Sequence, residues 1–204
     1  TGSTERRYFT LIETLGGSME TQERTSNTLR KRILSRIIAT LCALAFVAGG
    51  ATAANADYFA GGMPSTKNSV KYVGVNSSYV TKFDNARFRW NSLPAVTFGK
   101  SSAAQNTMTA ARYPHSWYGY YTAYGPRNRS RTFKIQVNAR TIQEASGSNM
   151  SKWIDSTSTH ELGHALSLAD NPKTSKASLM KHSRNRAMVI SPQPYDVSEV
   201  NRIY

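Results

Sequence analysis

His160-Glu161-Leu162-Gly163-His164 is the stretch on which the fold and the chemistry of this chain both turn. On an α-helix, residues four apart lie one above the other on the same face. His160 and His164 can therefore hold one metal ion together and leave coordination positions open. Glu161 follows the first histidine and can reach a water on that ion as its general base. The plain alternative is a pair of packed helix histidines beside a surface glutamate.

Working outward from the motif, Asn149 or Ser151 can cap its helix, with Trp153 and Ile154 on the early buried face. The helix is expected to run to about Leu168, where Ala169-Asp170-Asn171-Pro172 stops it. Upstream, Val70 to Val75 alternates as a strand would. Ser77 or Ser78 can cap a second helix ending near Asn91, on which Val80, Phe83, Ala86 or Arg87, and Trp90 form one face. Strands are expected at Ala95–Lys100, Thr107–Tyr113, within the aromatic run Tyr113–Tyr124, and at Thr132–Asn138. Arg127, Arg129 and Arg131 make a charged turn before the last of these, and a final helix begins near Tyr195-Asp196. This order predicts an α+β domain, a twisted mixed sheet packed on two helices.

The first third of the chain reads differently. Arg30, Lys31, Arg32 and Arg36 precede an apolar run from Ile37 to Val47, and Ala54-Asn55-Ala56 follows. Basic region, short apolar core and Ala-x-Ala are the parts of a secretory signal peptide. The run is about half the ~20 residues of a membrane-spanning helix. A signal over 19–56, cleaved after Ala56, is therefore expected, with no stable membrane anchor after its removal. Residues 1–18 precede Met19 and are expected to be an upstream extension. Residues 57–69 read as an extended leader and 70–204 as the catalytic domain. The one cysteine, Cys42, lies in the apolar run, so no disulfide and no cysteine-held latency are expected beyond it.

From Asp57 onward there are 19 lysines and arginines against 8 aspartates and glutamates, a net +11. Such a field favours acidic partners, an anionic cell-wall polymer among them, and equally serves solubility. No nucleic-acid fold signature accompanies it, so specific nucleic-acid binding is not expected. About 148 residues suffice to bury a core without staples, and a monomer is expected.

A catalytic zinc site has three protein ligands and a water. Asp170, six residues after His164, can fold back to the metal, while Glu199 on the last helix is the alternative third ligand. His160, Glu161, His164, Ser167 and Asp170 resemble the metzincin signature His-Glu-x-x-His-x-x-Gly-x-x-His, with Asp in the last place as in snapalysin-type bacterial peptidases. Ala177-Ser178-Leu179-Met180 looks like the methionine turn of that family, and Pro194 to Val200 resembles the last helix of matrixin-like bacterial zinc peptidases. The family usually has glycine where Ser167 stands.

This resemblance implies a metzincin-like zincin with one catalytic Zn2+ held by His160, His164 and Asp170, and Met180 beneath it. It implies a secreted zinc endopeptidase acting on protein or peptide substrates, in which Glu161 takes a proton from a metal-activated water and passes it to the leaving amine. His182 falls where some relatives place a tyrosine, and is either a transition-state stabiliser or a solvent-facing side chain. Tyr118, Tyr120 and Tyr121 are candidates for a substrate groove or a simple cover for the sheet, and His115 is a loop or groove residue. Competing functions are a non-catalytic basic surface or wall-binding domain and a zinc amidase acting on peptidoglycan. Calcium binding is left open.

Overall fold

The computed structural model describes residues 57–204, so the expected upstream extension, the signal segment and Cys42 lie outside the described residues. Five strands form one sheet: β1 (Lys67–Tyr72), β2 (Thr97–Lys100), β3 (Asn106–Ala111), β4 (Gly119–Tyr124) and β5 (Thr132–Asn138), in the order β2-β1-β3-β5-β4. The first four in that order run parallel, and β4 pairs antiparallel with β5 at one edge, with Tyr121 opposite Ile135. The helices are α1 (Ser77–Asn91), α2 (Ala139–Ser146), α3 (Met150–Ala165) and α4 (Pro194–Ile203). This is the expected α+β architecture with a mixed sheet. No helix among the described residues is long and apolar enough to cross a membrane.

The core lies between the sheet and helices α1 and α3. Alternation along the strands turns Val70, Phe98, Met108, Phe133, Ile135 and Val137 inward, where they meet Phe83, Ala86 and Trp90 of α1 and Leu162 of α3. Trp90 is fully buried, and its indole N–H donates to the Thr159 carbonyl at 2.8 Å, tying α1 to the middle of the motif helix. Asp155 repeats that tie in charge, pairing with Lys82 and Arg89 of α1 at 3.1 Å each.

Several expected boundaries move. The cap of α1 is Asn76, whose side chain accepts from the Tyr79 N–H, one residue before the serines expected to do it. α3 ends at Ala165, three residues early. Helix α2 was not expected at all: it is eight residues long and follows β5 directly, and the Asn138 side chain starts it by accepting from Arg140 N–H. β1 begins at Lys67, and the leader before it is bound to the domain. Phe59 N–H donates to Ser167 O at 2.8 Å and Met63 N–H to Ala165 O at 2.9 Å. Arg131 donates to the carbonyls of Ala60 and Gly62, and Arg127 to that of Met63, so two arginines of the charged turn clamp this segment.

Candidate active site

Helix α3 carries His160 and His164 one turn apart, both buried, with ring centroids 4.9 Å apart. Each Nδ1 meets a backbone carbonyl: Leu179 O at 3.0 Å for His160 and Leu168 O at 2.9 Å for His164. A carbonyl only accepts, so each Nδ1 carries the proton and each Nε2 presents a lone pair. Both lone pairs face Asp170 Oδ1, at 3.0 and 3.6 Å. His182 adds a third imidazole, its Nε2 2.9 Å from the same oxygen. Asp170 thus stands beside both motif histidines, and His182 turns toward them although its side chain is 58% exposed. Glu199 does not join the cluster: its carboxylate pairs with Arg202 on α4 at 2.5 Å.

Lone pairs facing a carboxylate oxygen at 3.0 Å need a cation between them. A proton serves poorly at His160, because burial, and after it the charge of Arg184, push its pKa down to about 3. Burial lowers His164 as well. Asp170, against the effect of its own burial, is held well below the usual carboxylate range by the imidazoles around it, His160 foremost. Neutral imidazoles and an ionised carboxylate are the donor set of a divalent transition metal, and they fit zinc. The Nδ1–carbonyl bonds supply the outer orientation that such ligands ordinarily have.

Glu161 is buried on the same helix face. Burial, and after it the negative charge of Asp170, push its pKa up to about 8. Edge strand β4 passes directly over it: a Cβ on Gly119 would stand 2.4 Å from Glu161 Oε1 and 2.7 Å from the Thr157 methyl carbon. Glycine is what admits the strand at that distance. Gly163 does the same on the opposite side, where a Cβ would lie 2.6 Å from Met180 Sδ. Met180 therefore presses on the helix between the two histidines. The turn that carries it is held by Asp196, whose carboxylate accepts from Ser178 Oγ at 2.6 Å, Leu179 N–H at 2.8 Å and Gln193 N–H at 2.8 Å. One buried acid thus caps α4 and fixes the loop whose carbonyl orients His160.

Ser167 adopts φ +62°, the left-handed backbone at which the family signature has glycine. That conformation costs a non-glycine residue ~1 kcal/mol or more. Here the serine hydroxyl lies 3.0 Å from Tyr204 OH and accepts from Arg127 at 3.1 Å, contacts a glycine lacks. Gly62 lies so close to it that a Cβ there would stand 2.5 Å from the Ser167 Cα.

A cavity of about 870 Å³ opens in front of these groups. Tyr118, Tyr120 and Tyr121 all line it, in different ways. Tyr120 is half exposed and stacks on Trp117, Tyr118 packs edge-on against Trp153, and Tyr121 is buried with its hydroxyl donating to Gly61 O. His115 stacks on Trp117 in the loop and does not line the cavity. Phe59 of the leader packs edge-on to His164 at 5.3 Å.

Three further residues escaped the sequence. Phe59 gave no signal at all, whereas Arg184 and Arg186 were visible as a charged pair close after the methionine turn. Both arginines line the cavity. Burial, and after it Arg186, lower the pKa of Arg184 to about 9.

No family model matches the sequence, and no curated protein matches it. Among solved structures, "GM1 bound form of the ECX AB5 holotoxin" is similar with a TM-score of 0.51 at 11% identity, covering 73% of this chain and 84% of that one. An archaemetzincin from Methanopyrus kandleri gives 0.47 at 10% identity over 68% of this chain and 96% of its own. High choriolytic enzyme 1, a hatching enzyme zinc-protease from Oryzias latipes, gives 0.43 at 12% over 68% and 90%. At these identities the likeness is one of fold alone.

Proposed function

We propose that this chain is a secreted, zinc-dependent endopeptidase of the metzincin type, with the snapalysin-like Asp170 as third ligand. The observation that carries it is the convergence of His160 Nε2, His164 Nε2 and Asp170 Oδ1 beside a buried Glu161, under an open sheet edge. His160, His164 and Asp170 would hold one zinc ion. Bound there, zinc would supply Lewis acidity and bring the pKa of water from ~15.7 towards ~7.

The chain's own residues do the rest. β4 is an edge strand, so its outward N–H and C=O groups are available to pair with an extended peptide. Gly119 keeps that peptide within reach of Glu161. The Glu161 carboxylate accepts a proton from water at the cavity floor and returns it to the leaving amine, and its burial suits both halves of the transfer near neutral pH. His182, exposed at the rim with its Nε2 2.9 Å from Asp170, would turn from that carboxylate to donate a hydrogen bond to developing negative charge. Met180 supports the two histidines from below.

The test is metal analysis of the purified protein together with a peptide-cleavage assay. One zinc per chain and cleavage abolished by a chelator are expected. Glu161→Gln should keep the zinc and lose activity by at least about a hundredfold. Full activity in Glu161→Gln, or a protein without zinc, defeats the proposal. Digestion of cell-wall material without peptide cleavage would favour the amidase instead.

A further inference from the structure

The segment after the methionine turn brings two guanidinium groups to the cavity with no counter-ion among the described residues. Arg184 donates from Nε to Ser156 Oγ at 3.1 Å and from Nη1 to Lys181 O at 2.9 Å. Arg186 donates from Nη1 to His182 O at 3.1 Å, and its guanidinium lies over the rings of Tyr118 and Trp153, at 4.7 and 5.4 Å. Neither forms an ion pair with a carboxylate of the described residues. Other partly buried cations are fully matched, Arg87 with Asp84, Lys82 and Arg89 with Asp155, and Arg131 with the carbonyls of Ala60, Gly62 and Gly125. The Nε of Arg186 is moreover buried without any hydrogen-bond partner.

The two carboxylates of the cavity do not fill this role. Asp170 is engaged by three histidines, and Glu161 lies beyond ion-pair distance of both arginines. Partly desolvated guanidinium groups with spare donors are costly to maintain alone. They match a carboxylate, which can take paired, charge-assisted hydrogen bonds from the planar fork. Tyr118 and Trp153 hold Arg186 in place beforehand, so little side-chain freedom is lost on binding.

We propose that Arg184 and Arg186 form a carboxylate-selecting subsite, which seats an aspartate or glutamate side chain of the substrate next to the bond cleaved. This rests on the peptidase reading of the same cavity. Among the described residues no strand pairs with the outer edge of β4, which lets a chain continue past the subsite, so a side-chain carboxylate is favoured over a terminal one.

The experiment measures binding apart from turnover. Zinc-loaded Glu161→Gln protein is titrated with two short amidated peptides that differ only in a central Glu or Gln. The readout is tryptophan fluorescence, since Trp117 lines the cavity and Trp153 lies under Arg186. The Glu peptide is expected to bind roughly tenfold tighter or more, and added salt should narrow the gap. Adding Arg186→Gln should remove most of the preference. Arg184 also anchors the Lys181 carbonyl, so Arg184→Lys, which keeps the charge, is the control that should retain it.

A third peptide, ending in a free carboxylate at the same position, identifies the source; if it alone gains affinity, the side-chain assignment is overturned. Equal affinities, a preference that survives Arg186→Gln, or no binding of the Glu peptide overturns the subsite. Failure of the unsubstituted protein to cleave either peptide, with selective binding intact, overturns the peptidase reading and leaves the subsite standing.

Discussion

Two walls of the cavity, beside the one made by β4, are unlike each other. One is helix α3, which presents His160, Glu161 and His164 from a continuous buried backbone. The other is the irregular segment between α3 and α4, which presents Asp170, His182, Arg184 and Arg186 from turns. The helix places its ligands by its own period, and its interior packing keeps them there. The segment places its groups through anchors far away in the chain. Ser167 and Asn171 take positive φ, the Asn171 side chain accepts from His182 N–H, and Asp196 clasps Ser178 and Leu179. A ligand on a helix is a local property, while a ligand on a turn inherits the stability of whatever holds the turn.

That contrast can be broken most sharply by removing ligands from each wall. His164→Ala should lower zinc affinity by roughly a thousandfold, given the ~10–16 kcal/mol that a full ligand set commands. Asp170→Ala should cost less, on the order of a hundredfold, because His182 stands beside the same position. Competition titration against a chelator measures both, and equal losses would mean that the walls are equivalent.

The next largest effect is expected at the anchor. Asp196→Ala removes three hydrogen bonds, two from the buried Ser178 and Leu179 and one that caps α4, a loss of about 2–4 kcal/mol. Urea unfolding should show it. Zinc affinity should fall with it although no ligand has changed, since Leu179 O loses its placement. An unchanged affinity would show that the turn holds itself.

The smallest expected effect belongs to the helix wall and to the metal-free protein. The pKa of Glu161 is raised from 4.5 to about 8 by burial and Asp170. A group raised on folding contributes stability that is complete below its unfolded pKa and lost as pH rises through its folded one. Chelator-treated protein should therefore lose melting temperature between about pH 4.5 and 8, and Glu161→Gln should lack that part of the decline. A decline of the same size in the variant would assign it to other groups.

The two walls also differ in how far they could be read from the residues. The β5 boundaries, the motif helix and the α+β class followed from periodicity, and the two histidines with Glu161 needed only the helical repeat. Asp170 was reachable by counting six residues on and by likeness to a signature. The orientation of His182 was not, because it depends on Asn171, eleven positions away, and on a backbone turn with no sequence period. Helix α2 was missed because its eight residues follow β5 without a break, too short a run to stand out beside the strand. The leader's contacts were missed because Arg127 and Arg131 reach it across more than sixty positions.

By itself, then, the sequence determined the chemistry that lies within one helical turn: two imidazoles on one face and a carboxyl between them. Local geometry repeats with the chain, so it can be counted. Only the tertiary structure decided which side chains complete the cavity. It brought Asp170 and His182 to one point, set Gly119 over Glu161, seated Ser167 in a left-handed turn between Arg127 and Tyr204, and left Arg184 and Arg186 without counter-ions among the described residues. Those outcomes come from packing between distant segments, and no spacing along the chain encodes them.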